Sequence, residues 1–425
     1  MQNSSNQLNN TLFLLSAIYF LWLIAVLIIF GYTPTNDGVG YIEYAVFCLN
    51  QGQPYPSDTI FKVIPFIWNV GIINLVELSL WLTKSIWPVL LLMCLMKSLI
   101  CLMTALITKK IFCEHISIIT IILFICYPNN WGQSTMISSE IPSTLLILIS
   151  IWLAINHRQL FVSGLILGLA NWFRPTAAIF LFSIFIYFIL FNKQKSIQYN
   201  TKILAGYATF IIIIGTSCYI RTGHFIYQAH SYWFSMIDEC YDGAEIAPHW
   251  GQPIWPEGTP RYIENHEQMD CFDFERIWRQ RSIDWLKKNP IKYLSKIPGR
   301  LYYMYKSDYD NLTVFLKDKS LHKNNYITIP IKNFYTKFSS MNNIQWMALA
   351  SLLIYFIIIL MATFGIYVLI CQRQLTTLFL PVMIVVGGSL SLVLVMHGEP
   401  RFKDPFMPFI FILSAVGIYH IIKSK

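Results

Sequence analysis

About ten apolar runs dominate this chain, at 12–30, 86–108, 116–127, 141–155, 160–173, 177–191, 203–220, 344–370, 375–396 and 406–422. No other feature restricts its folding as strongly. Within a hydrocarbon layer no water can satisfy backbone N–H and C=O groups, so a run that enters it must be a helix that closes its own hydrogen bonds. A straight crossing needs roughly 17–25 residues. Several of the runs are shorter, and short or broken helices often surround a site at membrane depth, where irregular backbone is covered by protein or lines a cavity. The expected fold class is mainly α. It is a polytopic α-helical membrane protein of about ten spans, with juxtamembrane helices on the outer face and a small extracytoplasmic domain.

Composition agrees. Hydrophobic residues make up 55% of the 425 positions and charged residues only 12%, against about 25% charged in soluble domains. The net charge of +9 does not point to nucleic acid. Many of the basic residues lie in short clusters between the runs: Lys109-Lys110, His157-Arg158, Lys193 and Lys195, Lys202, Arg373, Lys423 and Lys425. That is the positive-inside pattern of a protein in a bilayer, and the continuous phosphate-tracking patch of a nucleic-acid binder is missing. The pattern predicts cytoplasmic termini. Segments 31–62, 129–140, 221–343 and 397–404, and the Arg174-Pro175 corner, then lie outside. The stretch 63–82 is apolar but carries Asn69, Asn74 and Glu77. If it crossed, Lys109-Lys110 would fall on the outer side, so it is expected to lie at, or dip into, the outer interface. The run at 12–30 has no Lys or Arg before it and reads as a retained first span.

Three parts follow: 1–220, with a first outer loop at 31–62; an extracytoplasmic segment 221–343; and 344–425. Within the second part, Phe274, Ile277, Trp278 and Trp285 share one helical face, with Arg276, Arg279 and Lys287 elsewhere. That pattern predicts a basic amphipathic helix on the membrane surface, ending near Pro290. Cysteines in the apolar runs read as small buried hydrophobes. Cys240 and Cys271 share one polar loop and can pair in an oxidising compartment.

Candidate chemistry gathers in the outer segments. Asp37 stands a few residues beyond the first run, where a carboxylate could take a proton from a hydroxyl nucleophile; it also fits an Asx-turn at Asn36-Asp37-Gly38. Glu43 and Asp58 share its loop and could substitute. Glu140 opens a span, either as a functional acid or as the complement of a helix dipole behind a Ser138 or Ser139 cap. Arg174 lies where charge is costly, unless it snorkels to the interface. His397, Glu399, Arg401, Lys403 and Asp404 crowd the last connection. Cations on an outer face oppose the positive-inside bias, and an anion such as phosphate would offset them, since arginine offers it a planar fork of donors. Lys62 can add another. For a divalent cation, Asp37, Glu43, His249 and His266 are possible ligands, but no spacing demands one; no cofactor and no metal site is assigned.

With these residues in place, the chain resembles the GT-C superfamily of membrane glycosyltransferases, of the glycosyltransferase family 39, protein mannosyltransferase and aminoarabinose transferase kind. The family's D-x-x-x-Y-x-x-x-A and Gly-x-Pro-Tyr patterns stand here as Asp37, Tyr41, Ala45, Gly52, Pro54 and Tyr55. Its acidic span entry appears as SSEIP, its glycine-rich span as GLILGLANWFRP, and its late block as Pro400-Arg401-Phe402-Lys403-Asp404-Pro405. Two departures are present. Gly38 follows Asp37 where many relatives carry a second acid, and only Pro65 remains of a His-Pro-Pro stretch.

The resemblance implies a polyprenyl-phosphate sugar donor, inversion at the anomeric carbon and Asp37 as base. Arg174, Arg401, Lys403 and Lys62 are then the expected phosphate ligands. Tyr41, Tyr55, Glu140, His397 and Glu399 are the expected substrate contacts. The partners are the donor, the bilayer, and a glycan, glycolipid or protein acceptor such as lipopolysaccharide, at the outer face of the cytoplasmic membrane. Two other readings fit a polytopic chain with cations at membrane depth: a transporter of lipid-linked glycan and an O-antigen polymerase.

Overall fold

The computed structural model describes residues 2–52, 69–229, 232–241, 257–258, 260–265, 269, 271–308, 310–312 and 343–424. Lys62, Tyr55, Asp58, His249 and His266 lie outside them, as does the side chain of Cys271, so the Cys240–Cys271 pairing does too. Among the described residues there is no strand. The fold is mainly α, as expected.

The first half runs α1 (Gln2–Phe30), α2 (Asn36–Gln51), α3 (Val70–Thr83), α4 (Trp87–Ile111), α5 (Glu114–Cys126), α6 (Asn129–Gly132), α7 (Glu140–Ile155), α8 (Leu160–Phe173), α9 (Ala177–Phe191) and α10 (Ser196–Thr222). Then come α11 (Tyr232–Glu239), α12 (Cys271–Lys288), α13 (Pro290–Leu294) and α14 (Ile297–Tyr305). The chain closes with α15 (Asn343–Cys371), α16 (Leu375–Val382), a π-helical segment Met383–Gly387, α17 (Gly388–Val393), a 3₁₀ turn Pro400–Phe406 and α18 (Met407–Lys423).

Length separates these helices into two groups. Gln7–Phe30, Trp87–Ile111, Ser196–Thr222, Gln345–Cys371, Leu375–Val393 and Pro400–Lys423 are long and apolar enough to cross a membrane. A seventh span results if Asn129–Thr135 and Glu140–Ile155, bent by 115°, count as one. The remaining apolar helices, α3, α5, α8 and α9, have 13–15 residues. At 1.5 Å per residue they reach only about 20 Å, short of a hydrocarbon core of roughly 30 Å. Among the described residues, the expectation of about ten crossings therefore meets six or seven helices of sufficient length.

One large core joins α1, α4, α5, α7, α8, α9, α15 and α18. α8 lies flat against α10 through reciprocal glycines. A Cβ on Gly164 would sit 2.0 Å from the Ile203 carbonyl oxygen, and one on Gly206 would sit 1.9 Å from that of Phe161. In lipid no hydrophobic force drives helices together, so such close backbone contact supplies the attraction through dispersion.

Two expectations are corrected here. The segment after α1 is not a loop: residues 36–51 form α2, capped by the Thr35 side chain, which accepts from Gly38 N–H at 3.0 Å. It ends at Gly52 with φ +62°, the left-handed closure that favours glycine. Tyr41, Ala45 and Cys48 form its buried stripe. The second correction concerns α12. Phe274 and Trp278 are buried against Ile237 and Ile263, and Trp285 packs at a cluster around Met236 and Tyr293. The apolar face expected on a membrane surface is occupied by protein.

Candidate active site

Five separate stretches of chain deliver charged or polar side chains to one end of the helical bundle. α2 brings Asp37 in its first turn and Tyr41 one turn later. The bend before α7 brings Ser138, Ser139 and Glu140, the end of α8 brings Arg174, and residue 69 precedes α3. The turn between α17 and α18 brings His397, Glu399 and Arg401. That turn is held tightly: a Cβ on Gly398 would lie 1.9 Å from the carbonyl oxygen of Arg300 in α14.

Arg401 is the centre. Its Nη1 donates to Asp37 Oδ2 at 2.5 Å, and its Nε faces Glu399 Oε1 at 2.8 Å. Two carboxylates thus share one guanidinium. The outer members are partly open, with side-chain exposures of 36% for Arg401 and 29% for Asp37, whereas Glu399 has 6%. A ligand can therefore reach the Asp37–Arg401 pair but not the carboxylate behind it.

A second pair stands beside the first. Arg174 binds Glu140 directly, and Glu140 also accepts from Ser138 at 2.7 Å. Ser139 Oγ joins the pairs, receiving Tyr41 Oη at 3.3 Å, Asn69 Nδ2 at 3.1 Å and Arg174 Nη1 at 3.4 Å. Tyr41 is pushed up to about 12, first by burial and then by the negative charges of Asp37 and Glu140, so it stays a neutral hydrogen-bond donor.

Behind Arg401 the ion pairs continue. His397 Nε2 is 3.8 Å from Glu399 Oε2, and its Nδ1 is 3.5 Å from Glu239 Oε1 in α11. Glu239 Oε2 in turn accepts from Arg300 Nη2 at 2.6 Å. Burial alone would lower the His397 pKa, but its bonds to Glu239 and Glu399 raise it to about 9. Glu399 is held below the usual carboxylate range, because the charges of Arg401 and His397 outweigh its burial. An alternating series of charges thus runs from Arg300 through Glu239, His397, Glu399 and Arg401 to Asp37.

Of the residues expected from sequence, Asp37, Tyr41, Glu140, Arg174, His397, Glu399 and Arg401 come together. Lys403 does not. It is fully buried, donating to Ser307 O at 2.7 Å and Pro400 O at 3.0 Å and pairing with Asp308 at 2.8 Å. Asp404 binds the Gln133 amide, whose oxygen accepts from Lys97. Glu43 is exposed, apart from the paired groups. Among the described residues no three His, Cys, Asp or Glu side chains are grouped to hold a metal ion.

Sequence reasoning missed Ser139 as a hub, and Asn69, Glu239, Arg300 and Lys97. Lys97, a lone cation inside the apolar run of α4, carried a signal, because such a charge requires a buried partner. Glu239 and Arg300 carried none, since their partners are 61 residues apart.

The fold is that of a polytopic, mainly α-helical membrane protein, with a group of paired charges at one end of its bundle. The chain superposes on a crystal structure of the Archaeoglobus fulgidus oligosaccharyltransferase in the apo form, with a TM-score of 0.54 and 11% identity. The overlap covers 97% of this chain and 51% of that one, so the chain spans about half the length of that protein. Residues 72–219 match the family of dolichyl-phosphate-mannose-protein mannosyltransferases. No curated protein matches the chain significantly by sequence. The family match and the shared fold support the GT-C glycosyltransferase resemblance seen in the motifs.

Proposed function

We propose that this protein transfers a sugar from a polyprenyl-phosphate-linked donor to a cell-envelope acceptor, with inversion at the anomeric carbon and Asp37 as general base. The observation that carries the reading is the partly open Asp37–Arg401 pair, flanked by a second arginine at Arg174. A donor phosphate competes with Asp37 for the guanidinium fork of Arg401. Binding then does two things at once: it neutralises the phosphate and releases the carboxylate. The acceptor hydroxyl oxygen bonds to the anomeric carbon as its proton passes to Asp37. The bond from that carbon to the phosphate oxygen breaks, and its electron pair leaves with polyprenyl phosphate, stabilised by Arg401 and Arg174. Tyr41 and Glu140 border the reacting centre, while Glu399 and His397 hold Arg401 in position. Lys62 and Tyr55 remain candidate contacts from outside the described residues.

The site's place supports an outer-face reaction at the cytoplasmic membrane. The turns at the far ends of the same helices carry Lys109-Lys110, His157-Arg158, Lys193, Lys195 and Arg373, which the positive-inside rule assigns to the cytoplasm. By this reading 221–343 forms an extracytoplasmic part between two membrane modules. The acceptor is lipopolysaccharide, another glycolipid or protein.

The test is reconstitution of the purified protein with envelope glycan from its host and a panel of polyprenyl-phosphate sugars. The expected result is acceptor-dependent release of polyprenyl phosphate with one of them. Movement of lipid-linked glycan across the vesicle without such release would overturn the proposal in favour of a transporter.

A further inference from the structure

A cavity of about 480 Å³ lies away from the catalytic candidates. It opens where the α4–α5 turn meets the ends of α15 and α18. α18 starts at Met407, just after the Arg401 turn, and it lines the cavity from Val416 to Lys423, about 14–24 Å along the helix, toward the opposite end of the bundle. Its volume falls within the ~300–1,000 Å³ typical of ligand sites.

Its lining is divided. Ile116, Val368, Leu369 and Val416 form a buried apolar floor. Lys423 supplies a cation, His420 one helical turn before it on α18 adds an imidazole, and Gln372 and Gln374 supply exposed amides. A free inorganic phosphate would satisfy the cation and leave the floor against water. A neutral detergent-like molecule would cover the floor and leave the cation uncompensated. An amphiphile with an anionic head meets both needs. The surroundings favour a lipid, because this end of the bundle carries the basic turns at 109–110, 157–158, 193–195 and 373, the level at which a spanning helix meets anionic head groups.

We propose that this cavity is a binding site for an anionic phospholipid of the phosphatidylglycerol class. Its phosphate lies against Lys423 and His420, its head-group hydroxyls against Gln372 and Gln374, and its first methylenes over Ile116 and Val416. The proposal is independent of which sugar the enzyme transfers, or whether it transfers one.

The experiment titrates purified full-length protein with phosphatidylglycerol, phosphatidylcholine and inorganic phosphate, and reads bound lipid by native mass spectrometry. Since a lysine near a lipid surface contributes about 1 kcal/mol, the wild type should prefer phosphatidylglycerol over phosphatidylcholine by roughly fivefold or more. His420→Gln/Lys423→Gln should bring that preference to within about twofold. Lys193→Gln/Lys195→Gln, which removes charge at the same end but away from the cavity, should leave it in place. Equal loss in both double variants would show general surface attraction and overturn the site. Retention of the preference in the cavity variant would overturn it as well, as would displacement of the lipid by millimolar inorganic phosphate.

Discussion

Glu239→Gln should destabilise this protein more than any substitution in the exposed part of the site. Arg300 has no exposed side-chain surface, and Glu239 has 2%. The guanidinium donates to Glu239 at 2.6 Å and to the Val393 carbonyl at 3.0 Å, over the ring of Tyr293 at 4.6 Å. A charge so placed cannot recover hydration when its partner is removed. Breaking a buried pair of this kind costs about 3–5 kcal/mol, whereas replacing both members with apolar groups of similar size is often neutral. Glu239→Gln and Arg300→Met should therefore each lose about that much, and the double variant should lose less than either alone. The assay is unfolding in mixed micelles across the four proteins, read as a double-mutant cycle. Single losses below about 0.5 kcal/mol, or losses that simply add, would refute the claim that this pair anchors α11 to α14 beneath the site.

Three further outcomes follow from the same geometry. His397 is raised to about 9, so its pairs with Glu239 and Glu399 contribute stability that is complete below about pH 6.5. That contribution fades as pH rises through 9; unfolding measured from pH 6 to 10 should show the alkaline loss in wild type and not in His397→Gln. Arg401→Lys keeps the charge but not the fork, so donor binding should weaken roughly tenfold or more with the fold intact, measured by KM for the donor. Gly206→Leu cannot fit against the Phe161 carbonyl and should separate α8 from α10, with yield and thermal stability reporting the loss.

How much the sequence disclosed depends on the distance over which each signal acts. Hydropathy located the apolar helices, because a run in hydrocarbon has one solution for its backbone, but the polar starts of α1 and α10, ten and seven residues before the apolar runs, carried no such signal. The count of about ten includes α5, α8 and α9, which are apolar but shorter than a straight crossing. The four-residue spacing of Asp37, Tyr41 and Ala45 is itself a helical spacing. It was read as a loop because polar residues interrupt it and glycines stand at 31, 38, 40 and 52. The seven grouped site residues were legible as motifs, each at the end of a span. Lys403, a cation two residues from Arg401, looks equivalent to it in sequence. In the 3₁₀ turn Pro400–Phe406 it faces inward to Asp308. No local pattern could have paired Glu239 with Arg300 or His397, because those bonds are made only when α11 docks.

The most direct test of the central claim is complementation. The gene is deleted in its host, and wild type or Asp37→Asn is restored at equal membrane levels. Envelope glycans are then compared by mass spectrometry. The account predicts that wild type restores one sugar residue and that Asp37→Asn leaves it missing, with a rate loss of about 10²–10⁴. Full restoration by Asp37→Asn would contradict it, and would remove Asp37 from the chemistry.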